Sequence, residues 1–234
     1  MQNTFSTSRR LQLLGGLTPR QFLRRYWQKQ PLLIRQAVPG FKGVVSARRL
    51  LRLAGHEDCH ARLIWRGARR WHLKHGPLAA ADFAARMGAH RARPDGSRAW
   101  TVLVQDINHV EAAADALLRQ FRFIPHARLD DLMASYASAG GGVEPHVDSY
   151  DVFLLQGEGE RRWQISHQRD LSLVPDAPIK LLDKFVPEFE WVLQPGDMLY
   201  LPPGIAHCGT AVSNCVTYSI GFRAPGAQEL GARF

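Results

Sequence analysis

Gly140-Gly141-Gly142-Val143-Glu144-Pro145-His146-Val147-Asp148-Ser149-Tyr150-Asp151-Val152-Phe153-Leu154-Leu155 sets the architecture of this chain. A glycine cluster turns the backbone, a short segment carries His146 and Asp148 two residues apart, and a four-residue apolar run of strand length follows. In an extended segment the period of two sends His146 and Asp148 out of the same face, where they can share one metal ion. The same punctuation repeats in both directions. Runs rich in Val, Ile, Leu, Tyr and Phe at 132–137, 151–156, 161–165, 189–193, 197–201 and 215–222 are divided by Gly157-Glu158-Gly159, Pro195-Gly196 and Pro202-Pro203-Gly204. This rhythm is all-β and reads as a small barrel or double-sheet jelly roll.

Upstream of residue 130 the pattern is mixed. Thr18-Pro19 reads as a helix cap and first turn, and Phe22, Leu23, Tyr26 and Trp27 follow at helical spacing. Residues 31–35 read as a short strand, 47–54 as a helix, 62–65 with 70–73 as a hairpin turning at Gly67, 79–87 as a helix, 100–105 as a strand and 110–120 as a helix. The expected class is α+β. A double-stranded β-helix (jelly-roll) core over 131–234 carries a mixed N-terminal segment over 1–130, the two forming one structural unit.

At 234 residues, with 45% apolar and 22% charged positions, the chain can bury one substantial core, which excludes global disorder. Its apolar runs fall short of the roughly 18 residues that a membrane-spanning helix needs, so a chain without a membrane partner is expected. Ser8-Arg9-Arg10 before an apolar quartet has the look of a twin-arginine export signal, but Gly15-Gly16 and Pro19 interrupt any apolar region that would follow. Cys59, Cys208 and Cys215 form neither a CxxC pair nor an even framework, which suits a reducing cytoplasm. The net charge of +9 is unevenly spread: residues 1–100 hold 20 Lys and Arg against 4 Asp and Glu, the remainder 10 against 17. The first part suits RNA or an acidic partner, or is a solvated arginine-rich surface; the second favours a cationic substrate.

The chemistry sits in the β half. Gly196-x5-Pro202-x-Gly204-x2-His207 turns the chain into an apolar strand and out again, delivering a histidine at a strand edge. His146, Asp148 and His207 then compose a 2-His-1-carboxylate facial triad, the ligand set of non-haem Fe(II) oxygenases, with three octahedral positions left for other ligands. A closed structural zinc site is disfavoured, because thiolate pairs and a fourth ligand are lacking. Three open positions on Fe(II) suit a bidentate 2-oxo acid plus O2, and the far carboxylate of such a co-substrate needs a fixed cation. Arg161, on the strand after the Gly157-Glu158-Gly159 turn, is the candidate, and alternation sends its neighbour Arg162 to the opposite face. Tyr150 follows Asp148 by two residues and is the aromatic to watch. Phe153, Trp163 and Tyr200 read as barrel packing, Cys208 alternates away from His207, and His109 reads as either a peptide-channel residue or a cap.

These residues resemble a known family. Asp130-Asp131-Leu132-Met133, Gly140 to Val143, His146 to Phe153, Gln156-Gly157, Arg161-Arg162-Trp163, Pro195-Gly196-Asp197, Tyr200 to Gly204, His207 and Tyr218 to Pro225 are similar to the bacterial ribosomal oxygenases of the JmjC and cupin superfamily. A looser likeness runs through Tyr26 to Leu32, His75-Gly76-Pro77 and Val104-Gln105-x2-Asn108-His109. The resemblance implies an Fe(II)- and 2-oxoglutarate-dependent hydroxylase of an arginine β-carbon in a large-subunit ribosomal protein, the sixteenth in bacterial naming, with succinate and carbon dioxide as co-products. By position it makes His146, Asp148 and His207 the iron ligands, gives Arg161 the distal carboxylate of 2-oxoglutarate, and puts Ser135 at a co-substrate or substrate contact. The family continues past the Phe-Arg-Ala-Pro segment into a helical dimerisation region and a winged-helix-like domain that lie beyond Phe234, so the expectation of a homodimer has no residues here to rest on. The asparagine usual in cupins four residues after the distal histidine is Ala211. The rival readings are a histidyl or asparaginyl hydroxylase or a lysine demethylase on the same scaffold, a metal cupin that does not use 2-oxoglutarate, and an RNA-binding module built on the basic first part.

Overall fold

A computed structural model describes residues 8–67, 71–87 and 99–223. Within them the chain runs α1 (Pro19–Arg25), β1 (Leu32–Ile34), α2 (Ala47–Leu53), β2 (Ala61–Arg66), β3 (Trp71–His75), α3 (Ala80–Met87), β4 (Trp100–Val104) and α4 (Ala112–Leu118). The β half follows with β5 (Leu129–Ala137), β6 (Gly142–Val147), β7 (Val152–Glu158), β8 (Arg161–Ser166), β9 (Phe189–Leu193), β10 (Met198–Leu201), β11 (Ala206–Ala211) and β12 (Cys215–Phe222). All named pairings are antiparallel. One sheet has the order β1-β10-β7-β12-β5-β4-β2-β3 and faces a second of order β6-β11-β8-β9. The architecture is the α+β double-stranded β-helix expected from the strand rhythm.

The continuous apolar run in β7 has a direct cause. Phe153 and Leu155 pack outward against the helical layer, while Val152 and Leu154 pack inward between the sheets with Trp163, Ile165, Leu193, Leu199 and Leu201. A strand covered on both faces has no solvent side to fill with polar residues. The outer layer is anchored by α1, whose start is a capping box: the Gln21 N–H donates to Thr18 Oγ1, and the Thr18 N–H donates to the Gln21 side chain. Phe22 on α1 meets Phe153 at 5.5 Å and Tyr200 at 5.0 Å between ring centroids. The helix ends at Arg25, so Tyr26 and Trp27 pack from the turn beyond it.

Two polar ties fasten the N-terminal segment to the turns that flank the site. The buried Asp151 accepts a hydrogen bond from the Tyr200 hydroxyl (2.5 Å) and from Gln28 Nε2 (3.3 Å), fixing the start of β7 three residues after Asp148. Asp197, in the Pro195-Gly196-Asp197 turn, accepts from Arg35 Nη1 (2.6 Å) and from the Gln36 N–H (2.9 Å). The boundary read from sequence at residue 130 falls inside β5, and strands from both sides of it share the large sheet. The His146 and His207 segments, absent from the strand-like runs in the sequence, are β6 and β11. Their apolar content is low, so hydrophobic periodicity does not mark them. Ala224 and Pro225 of the Tyr218 to Pro225 motif, and the end of the expected 131–234 core, lie outside the described residues, as does Arg70 of the expected hairpin.

Candidate metal centre

His146 and His207 are brought together by register. They sit directly opposite each other on β6 and β11, and their ring centroids are 4.2 Å apart. Gly142 makes this pairing close: a Cβ there would collide with the Gly209 carbonyl on β11, so only glycine lets the two strands approach at that point. Asp148 follows the end of β6, and its carbonyl accepts the Gly204 N–H at 3.0 Å, which couples the His-x-Asp segment to the proline-glycine turn before His207. Gly204 itself holds φ at 84°, a left-handed conformation that favours glycine.

The resulting geometry is that of a metal-ligand set. His207 Nε2 lies 3.6 Å from one Asp148 carboxylate oxygen and His146 Nε2 lies 4.0 Å from the other. One ligand atom from each of the three residues falls within 4.8 Å of the others. In both rings Nδ1 faces a backbone carbonyl two residues back, His146 to Glu144 at 2.8 Å and His207 to Ile205 at 2.9 Å. A carbonyl only accepts, so Nδ1 carries the proton and each Nε2 turns its lone pair toward the centre, the ring orientation that metal-ligating histidines adopt. His207 is 2% exposed, and its burial, reinforced by His146, holds its pKa well below the ordinary imidazole range, which keeps it a neutral donor; Asp148 opposes this in part.

The triad opens into a cavity of about 630 Å³ between the sheets. Arg161 lines it at 4% exposure, and its Nε and Nη2 have no hydrogen-bond partner among the described residues. A buried guanidinium without a partner carries a large desolvation cost, and an anion entering the cavity relieves it. Strand alternation places Arg162 on the other face, where it pairs with Glu190 at 3.4 Å. Ser135 also lines the cavity from β5, buried, and its hydroxyl reaches the Thr217 carbonyl only at 3.5 Å, which leaves it free to turn toward a ligand. Cys208 faces away from the cavity wall, as alternation requires, and His109 lies on a 3-10 turn and is not among the residues lining the cavity.

Three features escape the sequence reading. Asp131 lines the cavity and its carboxyl is pushed up to about 6 by burial. Its position was recoverable from period two, because Asp131, Met133 and Ser135 share one face of β5. Trp163 packs in the inter-sheet core as expected, yet its indole N–H and the Thr101 hydroxyl are buried without partners at the cavity wall. The segment between β8 and β9 supplies Leu173, Val174, Ala177, Pro178, Ile179 and Lys180 to the wall, a contribution with no signature in the sequence.

A double-stranded β-helix with two histidines and an aspartate converging at one end of its cavity defines a metal-dependent cupin-type class. Residues 116–230 match the JmjC domain family. The chain belongs to the JmjC family, and within it the relatives that it is similar to are bacterial ribosomal oxygenases. It is 38% identical over 214 residues to the ribosomal protein uL16 3-hydroxylase of Escherichia coli, covering 91% of this chain and 54% of that protein. It is 38% identical over 218 residues to a probable ribosomal oxygenase of Haemophilus influenzae, covering 92% of this chain and 52% of the other. The solved structure of the E. coli ribosomal oxygenase YcfD in complex with cobalt and 2-oxoglutarate superposes with a TM-score of 0.78 at 36% identity, over 92% of this chain and 54% of that one. The chain thus spans about half the length of the curated relatives it matches.

Proposed function

We propose that this chain carries the catalytic core of an Fe(II)- and 2-oxoglutarate-dependent hydroxylase acting on the β-carbon of an arginine in the ribosomal protein uL16. The observation that carries the reading is the pairing of an unpartnered, buried Arg161 with the His146, Asp148 and His207 set on one cavity. A plain metal cupin has no use for a buried guanidinium without hydrogen-bond partners on the wall of its cavity. In this reading residues 131–234 form the core and residues 1–130 pack on it, and the work is done in the cytoplasm, where ribosomal proteins are made. Among the described residues no helix is long and apolar enough to cross a membrane.

His146, Asp148 and His207 would hold Fe(II) on one face, and Arg161 would grip the distal carboxylate of 2-oxoglutarate bidentately, with Ser135 as a further contact. When bound, the metal and co-substrate supply oxidative decarboxylation coupled to insertion of one atom of O2 into an unactivated C–H bond. The chain's own part is binding and orientation. Burial of His207 keeps water away from one side of the ligand set, and the two backbone carbonyls hold the rings in their ligating orientation. From β5 on the cavity wall Asp131 supplies a carboxylate for a cationic side chain. Tyr150, 39% exposed at the wall, holds its proton far into alkaline conditions because of burial and the neighbouring Asp148 charge, so it remains a donor.

The test is intact-mass spectrometry of purified uL16 incubated with the protein, Fe(II), 2-oxoglutarate and O2, followed by fragmentation. The expected result is a single-oxygen mass increase on one arginine, with succinate formed in equal amount. Succinate formation without any modified ribosomal protein would retain the reaction class and overturn the substrate.

A further inference from the structure

The strap joining β8 to β9 is ordered by its own hydrogen bonds. The Val174 N–H donates to Leu181 (2.9 Å), the Asp183 N–H to Ser172 (2.9 Å), and Leu173 bridges to Leu182. Leu181 and Leu182 are buried, and the Leu182 N–H donates to the Pro145 carbonyl at 2.8 Å, which fastens the strap to the residue before His146. Against this anchoring its outward side chains are unusual. Of the seven exposed large hydrophobics among the described residues, Leu171, Leu173, Val174, Val186 and Phe189 lie between residues 171 and 189, and Tyr150 stands at the same cavity. Leaving Leu173 at 49% exposure on a fixed strap has no structural benefit, and Leu173, Val174 and Tyr150 put exposed apolar groups on one cavity wall, the mark of a contact surface.

The geometry points to this strap as the surface that reads the residues flanking the target side chain in a polypeptide substrate, and assigns those flanking residues an apolar character. The occupant follows from continuity with the site: Leu173 and Val174 line the same cavity as His146, Asp148 and His207, so a chain that sends a side chain toward the triad must lay its neighbours along them. Lys180 is the only charged residue that the strap contributes to the wall, whereas Asp131 provides the acid on β5. Beside the cations Arg62 and Lys180, the cavity offers the Asp131 carboxylate to a cationic side chain and apolar contact to what lies next to it. This inference rests on the proposed function and extends it to substrate sequence.

The experiment uses the Mn(II)-substituted protein with 2-oxoglutarate in the absence of oxygen and three fluorescently labelled 15-residue peptides, followed by anisotropy. The first has a central Arg flanked by Leu on both sides, the second the same Arg flanked by Ser, and the third a central Gln flanked by Leu. The Leu-flanked Arg peptide is expected to bind at least tenfold more tightly than the Ser-flanked one. In the L173S/V174S variant that ratio should fall below threefold with 2-oxoglutarate affinity unchanged. Because these two side chains are exposed, the variant is expected to fold; the single variant Leu173→Ser checks the result independently. Equal affinity for Leu and Ser flanks, or a ratio that survives the double variant, overturns the inference while leaving the arginine reading intact. Equal affinity for Arg and Gln centres strikes the proposed function instead, and absence of binding by all three peptides overturns both.

Discussion

The two ends of the cavity are built on different principles. At its floor, His207 and Arg161 are buried on neighbouring strands of one sheet, with His146 paired across from His207, and every position is fixed by β register. At its mouth, Tyr150 and the 171–182 strap are half exposed and set by turns and local hydrogen bonds. Functional groups carried on rigid strands hold the tolerance that metal and co-substrate chemistry demands, whereas the anchored strap presents exposed apolar side chains to the polypeptide it meets. The difference separates chemistry from substrate choice, and variants at each end should break different steps.

The largest effect is expected at the floor. His207→Ala should reduce metal affinity by more than about 100-fold, since even changes behind the ligands cost 10–100-fold, and calorimetric titration of the chelator-stripped protein measures it. Arg161→Ala should weaken 2-oxoglutarate binding by about 100-fold, the worth of a charge-assisted bidentate contact, with metal affinity unchanged. The ligand-free Arg161→Ala protein should melt no lower than the parent, because the side chain removed is a buried cation whose Nε and Nη2 have no hydrogen-bond partner among the described residues, a desolvation cost that its contact over the Trp163 ring at 5.7 Å does not offset. A marked drop in its melting temperature would mean that Arg161 is structural.

On the β5 wall, at Asp131, the effects should be smaller and dependent on pH. Burial raises the Asp131 carboxyl from its ordinary 3.8 to about 6, so between those values the folded protein keeps a proton that the unfolded chain has lost. The stability this provides is complete below the lower value and is lost as pH rises through 6. Asp131→Asn should therefore raise the melting temperature at pH 8, by about 1–4 °C, while weakening an arginine-containing peptide about tenfold. Peptide affinity in the parent should rise between pH 5 and 7.5 as Asp131 ionises, and that rise should vanish in the variant. The smallest effect belongs to Arg162→Ala, whose exposed pair with Glu190 should shift stability by no more than about 0.5 kcal/mol. Set beside Arg161→Ala, it tests whether strand alternation alone separates the two arginines.

The same division governs what the sequence made legible. The floor was readable because His-x-Asp spacing, the Pro-Gly turn before His207 and the alternation of Arg161 with Arg162 are local patterns with one structural solution each. β7, β9 and β12 were readable from apolar runs. β6 and β11 were not visible as strands by that criterion, because they carry few large apolar residues: the apolar side chains that β11 buries are only the small Ala206 and Ala211, beside His207. Period two puts Asp131 on the face of Ser135, but no local pattern gives it a role, since its burial arises from strands and turns distant in sequence. The strap was invisible because its meaning lies in where its ends are fastened, and a hydrogen bond from Leu182 to Pro145 leaves no mark in composition.

Three side chains sharing one ion are the centre of this site, and anaerobic titration of the stripped protein with Co(II), followed by visible absorption, tests that arrangement most directly. One equivalent per chain is expected to give a saturable visible spectrum, and His146→Ala, Asp148→Ala and His207→Ala should each abolish it while far-ultraviolet circular dichroism stays unchanged. A His207→Ala protein that binds Co(II) as tightly as the parent, with the same spectrum, would contradict the account.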